Sequence, residues 1–337
     1  MQQSFLDKFR HAHMPPTQFY RFEYEPDKCT RCKACYRTCP TSCLQWNDEK
    51  NQPEATGLAS MEVACIGCNN CEAICPAGCI RMRGEYRVLE GRYRTPGDKF
   101  GEMRLPNPLG EPGPVDFDKF APQLTETERV IYRRRSIRLF KDKPVERAMI
   151  ERILEAGRFA PSAGNGQPLK FLVVTDPKLN KAVDRESARI LKLINRFYTG
   201  GNERWRKILI TLLSLVSASK WDQRPIAAME KVRRTDGVIT FNAPAVIHIL
   251  KDRRGISHPD IDAAVAAQNI VLAAHALGLG TCYIGFIAST IPYNPKIRKM
   301  LGIEYPYTMV TSLCVGYPKI RYDKPVPRGP VPVEWRE

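Results

Sequence analysis

The sequence predicts an α+β protein in two parts: a small cysteine-dense N-terminal part and a larger one in which helices and strands alternate. Three observations predict it. Ten of the twelve cysteines fall between Cys29 and Cys79. A Pro/Gly-rich stretch without sustained periodicity follows from about 95 to 123 and reads as a linker. Beyond it, apolar residues recur at helical spacing between short apolar runs of strand length. The 337 residues leave room for two domains. The expected division is 1–94, a linker at 95–124, and 125–337 with a mostly helical insert at about 178–236. The first part is too small to rest on its own core and calls for covalent or metal staples.

In the second part, 145–160 sets Met149, Ile150, Ile153, Leu154 and Phe159 at helical spacing. The runs 170–175 and 245–250 read as short buried strands. Residues 260–279 form a long Ala-rich apolar helix ending at Gly280, with strands expected at 281–287 and 307–315. Helices layered on a sheet are the expected architecture. The insert holds Trp205, Trp221 and the apolar run Ile208–Val216; it is expected to be a wall or lid over a site rather than only a packed helix pair.

Composition is that of a globular chain, 43% hydrophobic and 26% charged, with a net charge of +16. Residues 1–96 hold 13 Lys+Arg against 11 Asp+Glu, so nearly all the excess lies in the larger part. No Lys/Arg run, zinc finger or RNA-binding signature accompanies that charge, and nucleic acid is not expected as a partner. A basic surface facing an acidic redox partner or an anionic substrate accounts for it. The longest apolar run falls well short of the ~20 residues of a membrane span. The first residues lack the apolar segment and cleavage site of a signal peptide. A cytoplasmic, reducing location is therefore expected, where clustered cysteines bind metal more often than they pair as disulfides.

Two cysteine runs share one spacing: Cys29-x2-Cys32-x2-Cys35-x3-Cys39-Pro40 and Cys65-x2-Cys68-x2-Cys71-x3-Cys75-Pro76. Zinc sites take ligands in two pairs, not three close cysteines plus a fourth, duplicated. The doubled spacing resembles the bacterial ferredoxin signature for two [4Fe–4S] clusters. Three cysteines of a run hold one cubane while the fourth reaches the neighbouring one. The assignment is Cys29, Cys32, Cys35 and Cys75 for one cluster, and Cys65, Cys68, Cys71 and Cys39 for the other. Cys43 and Cys79 stand at equivalent places four residues past Cys39 and Cys75, where ferredoxins usually carry a small residue. They are expected to be compact core residues. A polar surface loop is expected between Cys39 and Cys65.

Four ordered motifs in 126–337 resemble the nitroreductase family. Arg134-Arg135-Ser136-Ile137-Arg138, ending a predicted helix, matches that family's R-R-S-x-R. Ala160-Pro161-Ser162-Ala163-Gly164-Asn165-Gly166-Gln167-Pro168 matches A-P-S-x-x-N-x-Q-P, with Leu169 where an aromatic is common. Gly278-Leu279-Gly280-Thr281-Cys282-Tyr283-Ile284-Gly285 matches G-L-G-T-C-[WY]-I-G. Its glycines end a helix and precede a strand, the reverse of a dinucleotide fingerprint. Val315-Gly316-Tyr317-Pro318 and the later Arg328 complete the set.

The resemblance implies an α+β sandwich forming an intertwined homodimer with FMN at the subunit interface. It assigns Arg134, Arg135, Ser136, Arg138, Pro161, Ser162, Asn165, Gln167, Ile284, Gly285 and Arg328 to FMN binding. Guanidinium groups suit the FMN phosphate, and a cation beside the flavin ring favours its reduced state. No side chain is assigned a general acid or base role. Cys282 is expected to pack, and His248 and His275 to be satisfied core histidines.

The expected function is an FMN-dependent oxidoreductase that passes electrons between two [4Fe–4S] clusters and FMN to reduce a small organic substrate. A nitroaromatic, a quinone-like ring, a halogenated aromatic or an activated double bond fits that role, with a ferredoxin or NAD(P)H as donor. The alternatives are an NAD(P)H-oxidising electron-transfer flavoprotein that delivers electrons through its clusters to a partner protein, and an enzyme acting on FMN itself.

Overall fold

The computed structural model describes residues 17–18, 20–55, 65–84, 87–89, 103–112, 116–199, 212, 228–229, 231–232, 237–320, 322 and 324–337. Trp205, Trp221 and nearly all of the Ile208–Val216 run lie outside them, as do 56–64 and 95–102. The described residues of Met1–Phe120, Leu193–Lys231 and Asp323–Glu337 form one compact unit, and those of Ala121–Lys192 and Val232–Tyr322 form a second.

The first unit runs β1 (Thr17–Gln18), β2 (Arg21–Tyr24), α1 (Ala34–Arg37), β3 (Leu44–Asn47), β4 (Gln52–Ala55), α2 (Asn70–Ile74), β5 (Ile80–Arg83) and β6 (Arg87–Val88). Its strands pair antiparallel as β1–β6, β2–β5 and β3–β4. The cysteine duplication is also a duplication of conformation. Arg31 and Lys33 in the first run, and Gly67 and Asn69 in the second, all have left-handed backbone, with φ of 57°, 62°, 62° and 50°. Such turns are sparsely populated by residues other than glycine, so each run is held in an unusual shape from which a helix, α1 or α2, then starts. The β3–β4 hairpin falls within the expected polar loop. Helix α3 (Phe117–Phe120) and an antiparallel bridge between Arg104 and Arg328 belong to the same unit.

The second unit runs α4 (Glu126–Arg133), α5 (Arg147–Arg158), β7 (Leu169–Val174), α6 (Pro177–Thr199, of which 193–199 count with the first unit), β8 (Ala245–Asp252), α7 (Pro259–Ala276), β9 (Gly280–Ile284), α8 (Gly285–Thr290), α9 (Pro295–Met300) and β10 (Tyr307–Gly316). Four strands form an antiparallel sheet in the order β7-β8-β10-β9. Strand β8 is buried on both faces over Ala245–Leu250, which explains why Val246, Ile247, Ile249 and Leu250 do not alternate with exposed residues as in a one-sided strand. Helix α7 packs on that sheet beside α5, through Ala263, Ala267, Ile270, Val271 and Ala274 against Ile153, Ile247, Ile249 and Leu313. Its alanines keep the approach close. A Cβ added at Gly157 of α5 would stand 2.7 Å from Ile270 and 3.1 Å from Phe171. Pro259 opens α7, and Gly278, at φ 77°, closes it. Helix α4 begins with a capping box in which Thr125 and Glu128 satisfy each other's backbone N–H.

Three expectations need correction. The helix foreseen over 260–279 and ending at Gly280 runs Pro259–Ala276, while Gly280 opens β9. The strand foreseen over 281–287 stops at Ile284, and α8 begins at Gly285. The apolar run Tyr283 to Ala288 carries no period that separates strand from helix. Ile284 and Ile287, three apart and both buried, fit the turn that forms. Phe159 does not join the core of α5. The helix ends at Arg158, and the ring stays 72% exposed beneath that arginine's guanidinium, 4.5 Å from its centroid.

Candidate functional site

The cysteine runs bring their thiols together in two sets. Cys39, Cys65, Cys68 and Cys71, and with them Cys43, line one cavity together with Phe22, Leu44 and Met82. Cys35 lies within electrostatic reach of Cys32, Cys75 and Cys29. Each set therefore mixes thiols of both runs. Among the described residues, no three of His, Cys, Asp or Glu close on a single metal ion. Thiols that ring a volume suit a polynuclear iron–sulfur group and not zinc.

Backbone donors serve both sets alike. Arg31 N–H donates to Cys29 Sγ at 3.4 Å, and Gly67 N–H donates to Cys65 Sγ at 3.4 Å. Burial pushes the Cys35 thiol up to about 12, so iron rather than water has to draw off its proton. Exposure differs along the runs: Cys32 faces solvent, whereas Cys39, Cys65 and Cys75 are buried.

In the second unit the arginine segment follows α4 and lies along β9. Ile137 N–H donates to Thr281 C=O at 2.8 Å, and Ser136 and Thr281 form a parallel bridge. Gly280 permits this contact, because a Cβ there would stand 2.7 to 2.9 Å from Ile137. The first and third motifs thus form one continuous surface. Arg135 is 3% exposed, with its guanidinium 5.1 Å from the Tyr322 ring centroid. Arg138 lies 6.0 Å from the centroid of Phe241. Arg134 and Arg138 both reach Cys282 electrostatically, although burial, the larger effect, pushes that thiol up. Cys282 is buried and serves packing, as expected. Past it, Ile284 is buried, and the bare backbone of Gly285 faces open space, since an added Cβ would meet nothing within 4 Å.

The second motif is an exposed loop held by its own hydrogen bonds. Gln167 N–H donates to Ser162 Oγ at 3.0 Å, and Gln167 Nε2 donates to Asn165 Oδ1 at 3.1 Å. Gly164, Asn165 and Gln167 have φ of 56°, 54° and 46°. Two non-glycine residues in this region within one loop mark stored backbone strain. The loop leads into β7, whose Leu169 is level with Lys251 of β8 and Thr308 of β10. The arginine segment sits at Gly280, level with Gly316 at the other end of β10. At ~3.3 Å per residue these ends lie roughly 25 Å apart along the strand, with two further strands between them.

Residues 131–317 match the Nitroreductase family, and residues 28–79 match the 4Fe-4S dicluster domain. The chain belongs to the nitroreductase family. It is an FMN-dependent oxidoreductase by class, joined to an iron–sulfur domain. A protein of Archaeoglobus fulgidus, named as a candidate NADH dehydrogenase/NAD(P)H nitroreductase, is 28% identical over 204 residues, which is 59% of this chain and 90% of its own. The 4-nitrobenzoate reductase of Nocardioides sp. is 25% identical over 205 residues, covering 58% of this chain and 82% of its own. A crystal structure of a nitroreductase with bound FMN from Desulfitobacterium hafniense aligns with a TM-score of 0.47 at 23% identity, covering 64% of this chain and all of that one.

Within this nitroreductase, Arg328 stands in the first unit, where its backbone exchanges two hydrogen bonds with Arg104, of 2.9 and 2.8 Å. His248 is buried as expected, but only half satisfied. Its Nδ1 meets Ser312 Oγ at 2.8 Å, and its Nε2 has no partner among the described residues. His275 is half-buried, near Arg134 and Arg133. Among the described residues, no helix is long and apolar enough to cross a membrane.

Several contributors carry no motif of their own. Tyr20 is buried against the second cysteine run, its ring occupying the space a Cβ on Gly67 would need. Lys231, at the end of the insert, donates to the carbonyl of Cys39 at 2.7 Å. Phe241 and Tyr322 take the arginine stacks. Each is a single residue far from the motif it serves, so neither spacing nor composition flags it.

Proposed function

We propose that this nitroreductase passes electrons between two [4Fe–4S] clusters and FMN to reduce a small organic substrate, with Cys29, Cys32, Cys35 and Cys75 holding one cluster and Cys39, Cys65, Cys68 and Cys71 the other. The gathering of thiols from both runs into each of two sets carries the reading. The first and third motifs supply Arg134, Arg135, Ser136, Arg138, Ile284 and Gly285 to FMN. Bound FMN supplies two-electron chemistry to a substrate and one-electron exchange with a cluster. The chain holds and orients it: a buried Arg135 favours the phosphate, and the exposed backbone at Gly285 leaves room beside a flat ring.

Pro161, Ser162, Asn165 and Gln167 contact FMN bound by a second copy. The roughly 25 Å between their loop and the arginine segment favours a shared site over a single-copy one. Helix α7 is consistent with a homodimer, since Ile261 on its outer side is 58% exposed beside Ala264 and Val265.

The all-thiol N-terminal part suits a reducing cytoplasm. An activated nitro group, as in the substrate named for the Nocardioides relative, is the first substrate class to try. The outward direction, from NAD(P)H to a partner protein, is favoured by the nicotinamide in the name of the Archaeoglobus relative.

Composition tests this directly. Protein purified without oxygen should contain about eight iron atoms and about one FMN per chain, and on full reduction should show the EPR of two interacting cubanes. Zinc in place of iron, or four iron atoms per chain, would refute the assignment.

A further inference from the structure

Two thiols remain outside the ligand sets. Cys43 and Cys79 sit at equivalent positions, are 4% and 2% exposed, and each touches the fourth ligand of its own run. The Sγ–Sγ distances are 3.5 Å for Cys39–Cys43 and 3.3 Å for Cys75–Cys79. Each also lies within electrostatic reach of the first ligand of the opposite run: Cys43 of Cys65, with which it lines one cavity, and Cys79 of Cys29. In the proposed ligand sets, Cys39 and Cys65 share one cluster, while Cys75 and Cys29 share the other. Each extra thiol therefore touches one ligand of a cluster and stands near a second ligand of the same cluster. A core-filling residue needs bulk alone, and alanine, valine or serine would supply it. The pairwise repetition of a sulfur-to-sulfur contact asks for a donor.

We infer that Cys43 and Cys79 are positioning residues that donate S–H···S hydrogen bonds to the ligand sulfurs of their respective clusters and thereby raise each cluster's reduction potential. This rests on the two-cluster reading above. A ligand thiolate has no proton and accepts, while the non-ligand thiol keeps its proton and donates. Reduction adds negative charge to the cluster and its sulfurs, so a donor aimed at them favours the reduced state. These two bonds add to the backbone donations from Arg31 and Gly67, which reach Cys29 and Cys65. The two cysteines act on different clusters and can be tested independently.

The experiment is an EPR-monitored redox titration of the full-length holoprotein, comparing Cys43→Ser, Cys43→Val and Cys43→Ala, and the same three changes at Cys79. Iron analysis of the unaltered protein tests the two-cluster reading separately, whatever the variants do. The expected result is selective. Cys43→Ala and Cys43→Val lower the potential of one cluster and leave the other in place, and the Cys79 variants lower only the second. Serine, which keeps an O–H donor, holds the potential near that of the unaltered protein. If alanine opens the loop and iron is lost, valine, close to cysteine in bulk, makes the same comparison. Potentials that stay fixed in every variant would overturn the inference. So would serine variants that shift as far as alanine and valine, since packing would then be the cause.

Discussion

At the scale of single residues, two of the polar groups buried in the second unit, Asp184 and His248, differ in what burial returns. Asp184 is buried in α6, and its Oδ2 accepts from Thr240 Oγ1 at 2.8 Å and from the N–H groups of Ile239 and Thr240, both at 3.2 Å. Those bonds fix the turn that delivers Phe241, with its left-handed φ of 54°, to Arg138. His248 has no such return. Burial alone holds its imidazole down to about 4, against an ordinary value of 6.5. A depressed histidine in the folded state means that the unfolded chain binds the extra proton first. Stability from this residue is complete above the unfolded value, falls as pH drops below about 6.5, and stops falling below about 4. The loss over that window is on the order of a few kcal/mol. Urea unfolding from pH 7 to pH 4 should therefore show a steeper acid decline in the unaltered protein than in His248→Gln, and parallel declines would exclude His248 as the cause.

At the scale of elements, the close crossing of α5 and α7 places the ends of the sheet and hence the two halves of the candidate flavin site. Gly157 sits in that crossing. Alanine there would gain about 1 kcal/mol of helix propensity. Its Cβ, however, would press on a fully buried Ile270 at 2.7 Å, where overpacking costs about 1–3 kcal/mol. Gly157→Ala should lower the urea midpoint despite the better helix former; a raised midpoint would show that the crossing relaxes.

The cysteine repeat is legible in the sequence because a metal ligand set constrains identity and spacing together, and the elements around β8 are legible because both faces of that strand are buried. What stays hidden has physical reasons. The strand-to-helix change at Gly285 falls within an apolar run without a period. Phe159 lies one residue past the helix that its spacing implies. Tyr20, Phe241, Tyr322 and Lys231 act from distant positions, where no local pattern reports the contact. The four motifs mark the candidate flavin segments, but only the register of the sheet separates Gln167 from Ser136.

At the scale of the molecule, the chain joins an iron–sulfur domain to a nitroreductase domain, and the proposed function has the first handle electrons singly and the second in pairs. The cysteine runs are unequal at their edges: Arg31, Lys33 and Arg37 of the first correspond to Gly67, Asn69 and Ala73 of the second, and Cys32 is exposed. The central claim is that both cofactors exchange electrons within one protein. The measurement that tests it most directly is an anaerobic titration with NADH, with NADPH and with a reduced low-potential ferredoxin, following flavin absorbance and cluster EPR on the same sample. The account predicts that whichever donor reduces one cofactor also reduces the other, with flavin bleaching and cluster paramagnetism developing together before the donor is in excess. A flavin that bleaches fully while the clusters stay EPR-silent, followed by cluster reduction only with dithionite, would contradict it.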